Sequence, residues 1–196
     1  MRIGIPKEKN EKETRVAIVP VSVPKLLKLG FEVVIEKGAG ENSGYSDTEY
    51  EEKGAKTKSL DEVMKCELIA SIDVPDFKNM KKGQMLACVA DPFRNLQQTK
   101  KIIEAGITLL SLEVIPRRLS KGQSMDVNSS QDNLSGYKAA LMGSQHIAKM
   151  VPMMMTSAGT VRPAKFVIQG AAVAGLQAIA TAKRLGGAIQ AIDVRL

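Results

Sequence analysis

The hexapeptide Gly170-Ala171-Ala172-Val173-Ala174-Gly175 stands between a β-rich run, Phe166-Val167-Ile168-Gln169, and a helical run, Leu176–Leu185. It follows the pattern Gly-x-Gly-x-x-Gly with alanine in the second glycine position. In that pattern the first glycine permits a tight turn, and the last lets helix and strand pack closely. The helix start then offers N–H groups and a partial positive charge to a pyrophosphate. The next run, Ala188–Val194, carries Asp193, 23 residues after Gly170. A carboxylate there can accept hydrogen bonds from the adenosine ribose hydroxyls. Strand, turn, helix, strand and terminal acid together read as one nucleotide-binding β-α-β unit. Ala172 adds a methyl where a pyrophosphate would come closest.

Other groups point less far. Arg117, Arg118 and Lys121 can hold an anion, or simply form a solvated basic loop. Met153-Met154-Met155 offers soft metal ligands, but filling a core or a domain crevice is the expected use. His146 has no partner Ser, Cys or acid readable from spacing, and Asp73 reads as the cap of a strand end. With Cys66, Cys88 and a single histidine, neither a disulfide framework nor a zinc site built from Cys and His is legible.

The charge has a location. The chain has 196 residues and a net charge of +7. The first 115 residues balance 18 basic against 18 acidic side chains, and the remainder carries 10 against three. Such an excess suits a phosphate-bearing ligand or an acidic partner surface. With 4% aromatic residues and no recognition or stacking motif, nucleic acid is not an expected partner. Hydrophobic content of 44% and charged content of 25% are those of a globular protein. No apolar run reaches the roughly 18–20 residues of a transmembrane segment, and Met1–Lys7 lacks the apolar core of a secretory signal.

These groups need elements to position them. Arg2–Ile5, Phe31–Ile35, Glu67–Val74, Met85–Ala90 and Ile107–Ile115 read as strands, with short helices between them. Gly30 stops one of those helices, and the pairs Ser46/Glu49 and Ser59/Glu62 fit capping boxes. Asp91-Pro92 has the chemistry of a helix start. Alternation of this size predicts an α/β fold with a mostly parallel sheet. Past Pro116 a basic loop leads into a long helix, about 130–150, with Leu134, Tyr137, Leu141 and Ile147 near helical spacing. The expected organisation is a flavodoxin-like or Rossmann-like domain over 1–127, a connecting helix over 128–150, and a partial Rossmann unit over 151–196.

Longer words carry a resemblance. Met1–Pro6 with Arg15–Pro20 resembles the start shared by alanine dehydrogenases and the nucleotide-binding part of the proton-translocating NAD(P) transhydrogenase alpha subunit. Gln123-Ser124-Met125-Asp126, Ser129-Ser130-Gln131, Gly136-Tyr137 and Pro152–Thr160 resemble the transhydrogenase branch, as do Val173–Gly186 and Asp193-Val194-Arg195. The resemblance implies a domain that binds NAD(H) at the cytoplasmic or matrix-side face of a membrane. It exchanges a hydride with NADP(H) on a partner domain, coupled to proton movement in a separate membrane part. It also implies a homodimer, working with the rest of the alpha subunit and the membrane-spanning and NADP(H)-binding components. Cofactor binding would fall to Gly170, Ala172, Val173, Ala174, Gly175, Asp193 and Arg195. Arg118, Gln123, Asp126 and Ser129 would position the nicotinamide end. The loop at Pro116–Leu119 is one residue longer than the family's, so Arg117 stands beside Arg118 as its arginine. Alanine dehydrogenase holds a carboxylate substrate with arginine, lysine and histidine. Arg15 matches the arginine, but Asp73 and Asp91 replace the other two and would repel an amino or oxo acid.

The related domain is nearly twice as long, with a six-stranded nucleotide fold. Here the chain stops after the first β-α-β unit, as a truncated product, one piece of a split subunit or a degenerate copy would. Two readings follow from the sequence. One is a transhydrogenase NAD(H)-binding component, inactive when isolated. The other is a non-catalytic remnant or assembly subunit that binds no nucleotide.

Overall fold

The computed structural model describes residues 1–116 and 120–194, without the side chains of Ser120 and Lys121. Two compact units emerge, Met1–Met125 and Asp126–Leu196.

Short hydrophobic runs build the sheet of the first unit. Its elements are β1 (Arg2–Ile5), α1 (Val23–Lys28), β2 (Glu32–Glu36), α2 (Asp47–Glu52), β3 (Lys56–Lys58), α3 (Leu60–Val63), β4 (Leu68–Ala70), β5 (Met85–Cys88), α4 (Leu96–Glu104), β6 (Thr108–Ser111) and α5 (Ser120–Gln123). The six strands are all parallel in the order β3-β2-β1-β4-β5-β6. Both faces are covered, as parallel sheets require. In β2, Val33 and Ile35 join Ile5, Val23 and Tyr50, whereas Val34 joins Val63, Ile69, Leu86 and Ile102. The period-two alternation of a strand thus feeds two separate hydrophobic clusters.

Local chemistry sets several boundaries. The Ser46/Glu49 capping box forms: the Glu49 N–H donates to Ser46 Oγ at 3.3 Å and the Ser46 N–H donates to Glu49 Oε2 at 2.7 Å. Ser59 differs, because its hydroxyl donates to Glu62 Oε2 at 3.3 Å and caps no backbone N–H. The helix expected from Asp91 begins only at Leu96. Asp91 has φ +45°, and its carbonyl accepts from the Arg94 and Asn95 N–H groups, closing a turn before the helix can start. Part of the segment expected as a loop past Pro116 is helical, at α5.

The second unit contains α6 (Val127–His146), a hairpin of β7 (Met154–Thr156) and β8 (Gly159–Val161), then β9 (Lys165–Gln169), α7 (Val173–Arg184) and β10 (Ala188–Ile192). β9 and β10 pair in parallel from Lys165↔Ala188 to Gln169↔Ile192, and α7 packs on both. The long helix packs on α7 through its smallest residues. Gly136 and Ala140 are buried, and a Cβ on Gly136 would lie 2.0 Å from the Ala174 carbonyl oxygen. Leu134 and Tyr137, two of the apolar residues at near-helical spacing, are exposed. Backbone proximity selected the glycine face over the bulkier one. Of the two uses expected for Met153, Met154 and Met155, a core or a domain crevice, the first is not met: they stand exposed, at 63, 39 and 84%, on and beside the hairpin.

Candidate functional site

The glycine turn sits between β9 and α7. Gly170 has φ +89°, a conformation glycine adopts without strain. A Cβ on Gly175 would lie 1.7 Å from the Gly170 carbonyl oxygen, so only glycine lets α7 start against the turn. Ala172 is the N-cap of α7, in extended conformation, with no side-chain capping bond and no acid in the first helical turn. The N–H groups at the start of a helix lack intrahelical partners, and no carboxylate in that turn competes for them. The Asp193 carboxylate accepts from the Ala171 N–H at 2.5 Å, and the Ile192 carbonyl accepts from the Gly170 N–H at 2.7 Å. The end of β10 therefore ties down the turn, and Asp193 stands beside it. Val173, Ala174 and Gly175 are partly buried along the helix start, whereas Gly170 and Ala172 are exposed. Arg195 lies outside the described residues.

The loop residues divide between the units. Gln123 is exposed at the end of α5. Asp126 and Ser129 open α6 as a capping pair, in which Asp126 Oδ1 accepts from the Ser129 N–H at 2.9 Å and Oδ2 from the Ser129 hydroxyl. Their spacing satisfies the helix start, which gives both residues a structural use. Arg117 and Arg118 lie outside the described residues.

A second polar cluster gathers at the carboxyl ends of β1 and β4. Glu8 accepts from the Ile72 N–H at 2.6 Å and the Asp73 N–H at 3.2 Å, and Asn10 Nδ2 donates to Asp73 Oδ2 at 3.3 Å. Arg15 lies against Glu13, with Nη2 2.6 Å from Oε2 and Nε 2.8 Å from Oε1. That bond holds the Glu13 carboxyl below its ordinary range, and with the Asp73 and Glu8 charges it raises the Arg15 pKa. Asp91 is ion-paired with Arg94 at 3.6 Å and donates its N–H to Glu113 Oε1. Sequence reasoning passed over Glu8, although its position just after the first strand of a parallel sheet was the available signal. His146 is exposed at the end of α6. Among the described residues no three His, Cys, Asp or Glu side chains gather to hold a metal, and no helix is long and apolar enough to cross a membrane.

The family model for the alanine dehydrogenase/PNT N-terminal domain matches residues 4–135, and that for the C-terminal domain matches residues 139–196. The chain belongs to the alanine dehydrogenase/PNT family. Within the family it is 42% identical to the first portion of NAD(P) transhydrogenase subunit alpha of Rhodospirillum rubrum, over all of this chain and 53% of the relative. The crystal structure of transhydrogenase from Sinorhizobium meliloti matches with a TM-score of 0.95 and 41% identity, over 100% of this chain and 57% of that one. An L-alanine dehydrogenase structure matches at 0.86 and 27% identity, over 100% and 55%. These values bear out the transhydrogenase branch read in Gln123–Asp126 and Pro152–Thr160. The chain spans about half the length of these relatives.

Proposed function

We propose that this family member is the N-terminal portion of the NAD(H)-binding component of a proton-translocating transhydrogenase, serving hydride transfer between NAD(H) and NADP(H) on a partner domain. The observation that carries the reading is the turn at Gly170–Gly175, anchored by Asp193 and opening an uncapped helix. The names of the transhydrogenase relatives support the reaction assigned to it. The residues present fit a dinucleotide. The turn brings backbone close to its ligand, the α7 start carries positive partial charge, and the surrounding sequence is basic. Val173, Ala174 and Gly175 would offer N–H groups to the pyrophosphate. Asp193 would accept from ribose hydroxyls, with Arg195 completing the set.

When bound, NAD(H) supplies the nicotinamide carbon that gives or takes the hydride. Direct hydride transfer needs no acid or base from the protein, so its residues position the ring and exclude water. Arg118 and Gln123 would hydrogen-bond the carboxamide and ribose at the nicotinamide end. Asp126, kept in place by its bonds with Ser129, would orient the arginine. In this reading the chain dimerises and works peripherally at the cytoplasmic or matrix-side face of a membrane. The rest of the alpha subunit, the membrane-spanning part and the NADP(H)-binding component are its partners.

A second reading is an assembly unit that binds no nucleotide. Exposed apolar side chains on the β9–β10 layer and α7 favour it: Val167, Ile192 and Leu176. Calorimetry with NADH and NADPH, on the chain with and without the remaining piece of the subunit, separates the two. NADH should bind more tightly than NADPH, because Asp193 accepts from ribose hydroxyls and repels a 2′-phosphate. Equal or stronger NADPH binding overturns the role of Asp193. No binding of either nucleotide in the completed assembly supports the second reading.

A further inference from the structure

The start of α7 is held from two sides by backbone alone. On one side a Cβ at Gly175 would lie 1.7 Å from the Gly170 carbonyl oxygen. On the other, a Cβ at Gly136 of α6 would lie 2.0 Å from the Ala174 carbonyl oxygen, 2.8 Å from its carbon and 3.0 Å from its Cα. Ala174 and Gly175 are neighbours in the first turn of α7, so adjacent peptide units carry the two contacts. Glycine stands at both places, so no side chain intervenes that could change rotamer and give way.

That turn is the one with donors to offer. The first intrahelical bond runs from the Leu176 N–H to the Ala172 carbonyl at 2.8 Å. The N–H groups of Val173, Ala174 and Gly175 come before it and have no intrahelical acceptor. No side chain caps them and no acid stands among them. Donors that are already aimed bind an anion more tightly, because nothing has to be ordered when it arrives.

The contact with Gly170 belongs to the glycine fingerprint. The contact with Gly136 comes from outside it, from a buried position in the middle of α6 and 34 residues before Gly170. Glycine is a poor residue for a helix interior, so its presence there needs a reason. Gly143 of the same helix has no such constraint, since its Cβ would meet only the Phe166 ring at 3.8 Å. The demand for glycine is therefore local to position 136, where α6 meets the residues that present the N–H groups.

We propose that Gly136 is a positioning residue for the cofactor: it lets α6 rest on the Ala174 carbonyl and so holds the α7 start where its N–H groups meet the pyrophosphate. Gly136 touches no ligand itself. The inference rests on the nucleotide reading of the glycine turn.

The test compares NADH with adenosine, which has the ribose hydroxyls that Asp193 would bind but no phosphate. Both are titrated by calorimetry into the chain completed by the remaining piece of the subunit, unaltered or carrying Gly136→Ala or Gly143→Ala. Gly136→Ala should weaken NADH binding at least tenfold, while adenosine binding changes less than twofold. Gly143→Ala should leave both within twofold. A merely structural glycine would lower both ligands together, so equal losses would overturn the proposal, as would unchanged NADH affinity. Hydrogen exchange on the unaltered assembly keeps the test decisive if Gly136→Ala does not fold. Saturating inorganic pyrophosphate should slow exchange severalfold in the turn of α6 around Gly136 as well as in α7. Slowing confined to α7 would show that α6 does not hold the site, and would overturn the proposal. If the unaltered assembly binds NADH no more tightly than adenosine, the nucleotide reading of the turn fails before any variant is made, and the proposal falls with it.

Discussion

Replacing Gly175 by alanine drives a methyl into backbone, where no rotamer change can relieve it. The added Cβ would lie 1.7 Å from the Gly170 carbonyl oxygen and 2.7 Å from its carbon. A close carbon–oxygen contact is roughly 3.3 Å, so turn and helix must part by about 1.5 Å. Retreat of α7 is restrained from its other side, because the Gly136 backbone of α6 already touches the Ala174 carbonyl. Overpacking of this kind costs about 1–3 kcal/mol, equivalent to about a 5- to 150-fold rise in the population of opened states. Hydrogen exchange reads this directly. Amides of β9, α7 and β10 should exchange faster by that factor, while those of β1, β4 and β5 keep their rates. Gly143→Ala makes the same chemical change on α6, where the new methyl meets only the Phe166 ring at 3.8 Å. It should slow exchange instead, by up to about 1 kcal/mol of helix propensity. Unchanged exchange in Gly175→Ala would show that the turn yields freely, and the packing argument would fail.

Ala172→Ser should stabilise α7 by about 1 kcal/mol by supplying the missing N-cap, read as a higher melting temperature. The same hydroxyl would occupy an N–H meant for phosphate, so NADH affinity should fall in calorimetry; a parallel rise would refute the phosphate role of the helix start. Gln123→Ala and Arg118→Ala should lower hydride transfer in the reconstituted assembly more than they lower NADH binding, since they act at the nicotinamide end. Losses in strict proportion would remove that assignment. Burial pushes the Cys88 thiol up to about 12, so at roughly pH 8 the thiolate is scarce and iodoacetamide should leave Cys88 intact in the native chain. Rapid labelling without denaturant would contradict the burial of β5.

Legibility followed how local each determinant was. The turn at Gly170–Gly175 was readable because positive φ and close helix packing are demands met within one loop. Five of the six first-unit strands were readable, the clearest being Val33-Val34-Ile35, apolar on both faces as a covered parallel strand is, whereas the polar edge strand Lys56-Thr57-Lys58 carried no such signal. The packed face of α6 was not. Leu134 and Tyr137 carry the stronger hydrophobic signal, yet contact with α7 is set by how near two backbones can come, a property of Gly136 and Ala174 together. Asp91 is not the helix start because its backbone takes φ +45°, not the extended conformation of an N-cap, and its carbonyl closes the turn to Arg94 and Asn95 that precedes α4. Asp126 and Ser129 show a further limit: spacing alone does not separate a helix cap from a ligand contact, and here the capping bonds are present.

The two units divide fold and binding chemistry between them. The first has the full six-strand order associated with dinucleotide folds, yet its loop after β1 is Pro6-Lys7-Glu8, without a glycine turn. Glu8 spends its carboxylate on the Ile72 and Asp73 N–H groups, so negative charge fills the place where a phosphate would have to sit. The second unit has, among its described residues, only β9, α7 and β10 of such a fold, yet its turn has the positive φ, the close glycine packing and the adjacent acid. Strand order therefore supplies a crevice in the first unit, and the residues at the strand ends decide the sign of charge it accepts. Exchanging Glu8 for an uncharged residue would not by itself create a phosphate site, because the backbone there lacks the turn that aims N–H groups at one.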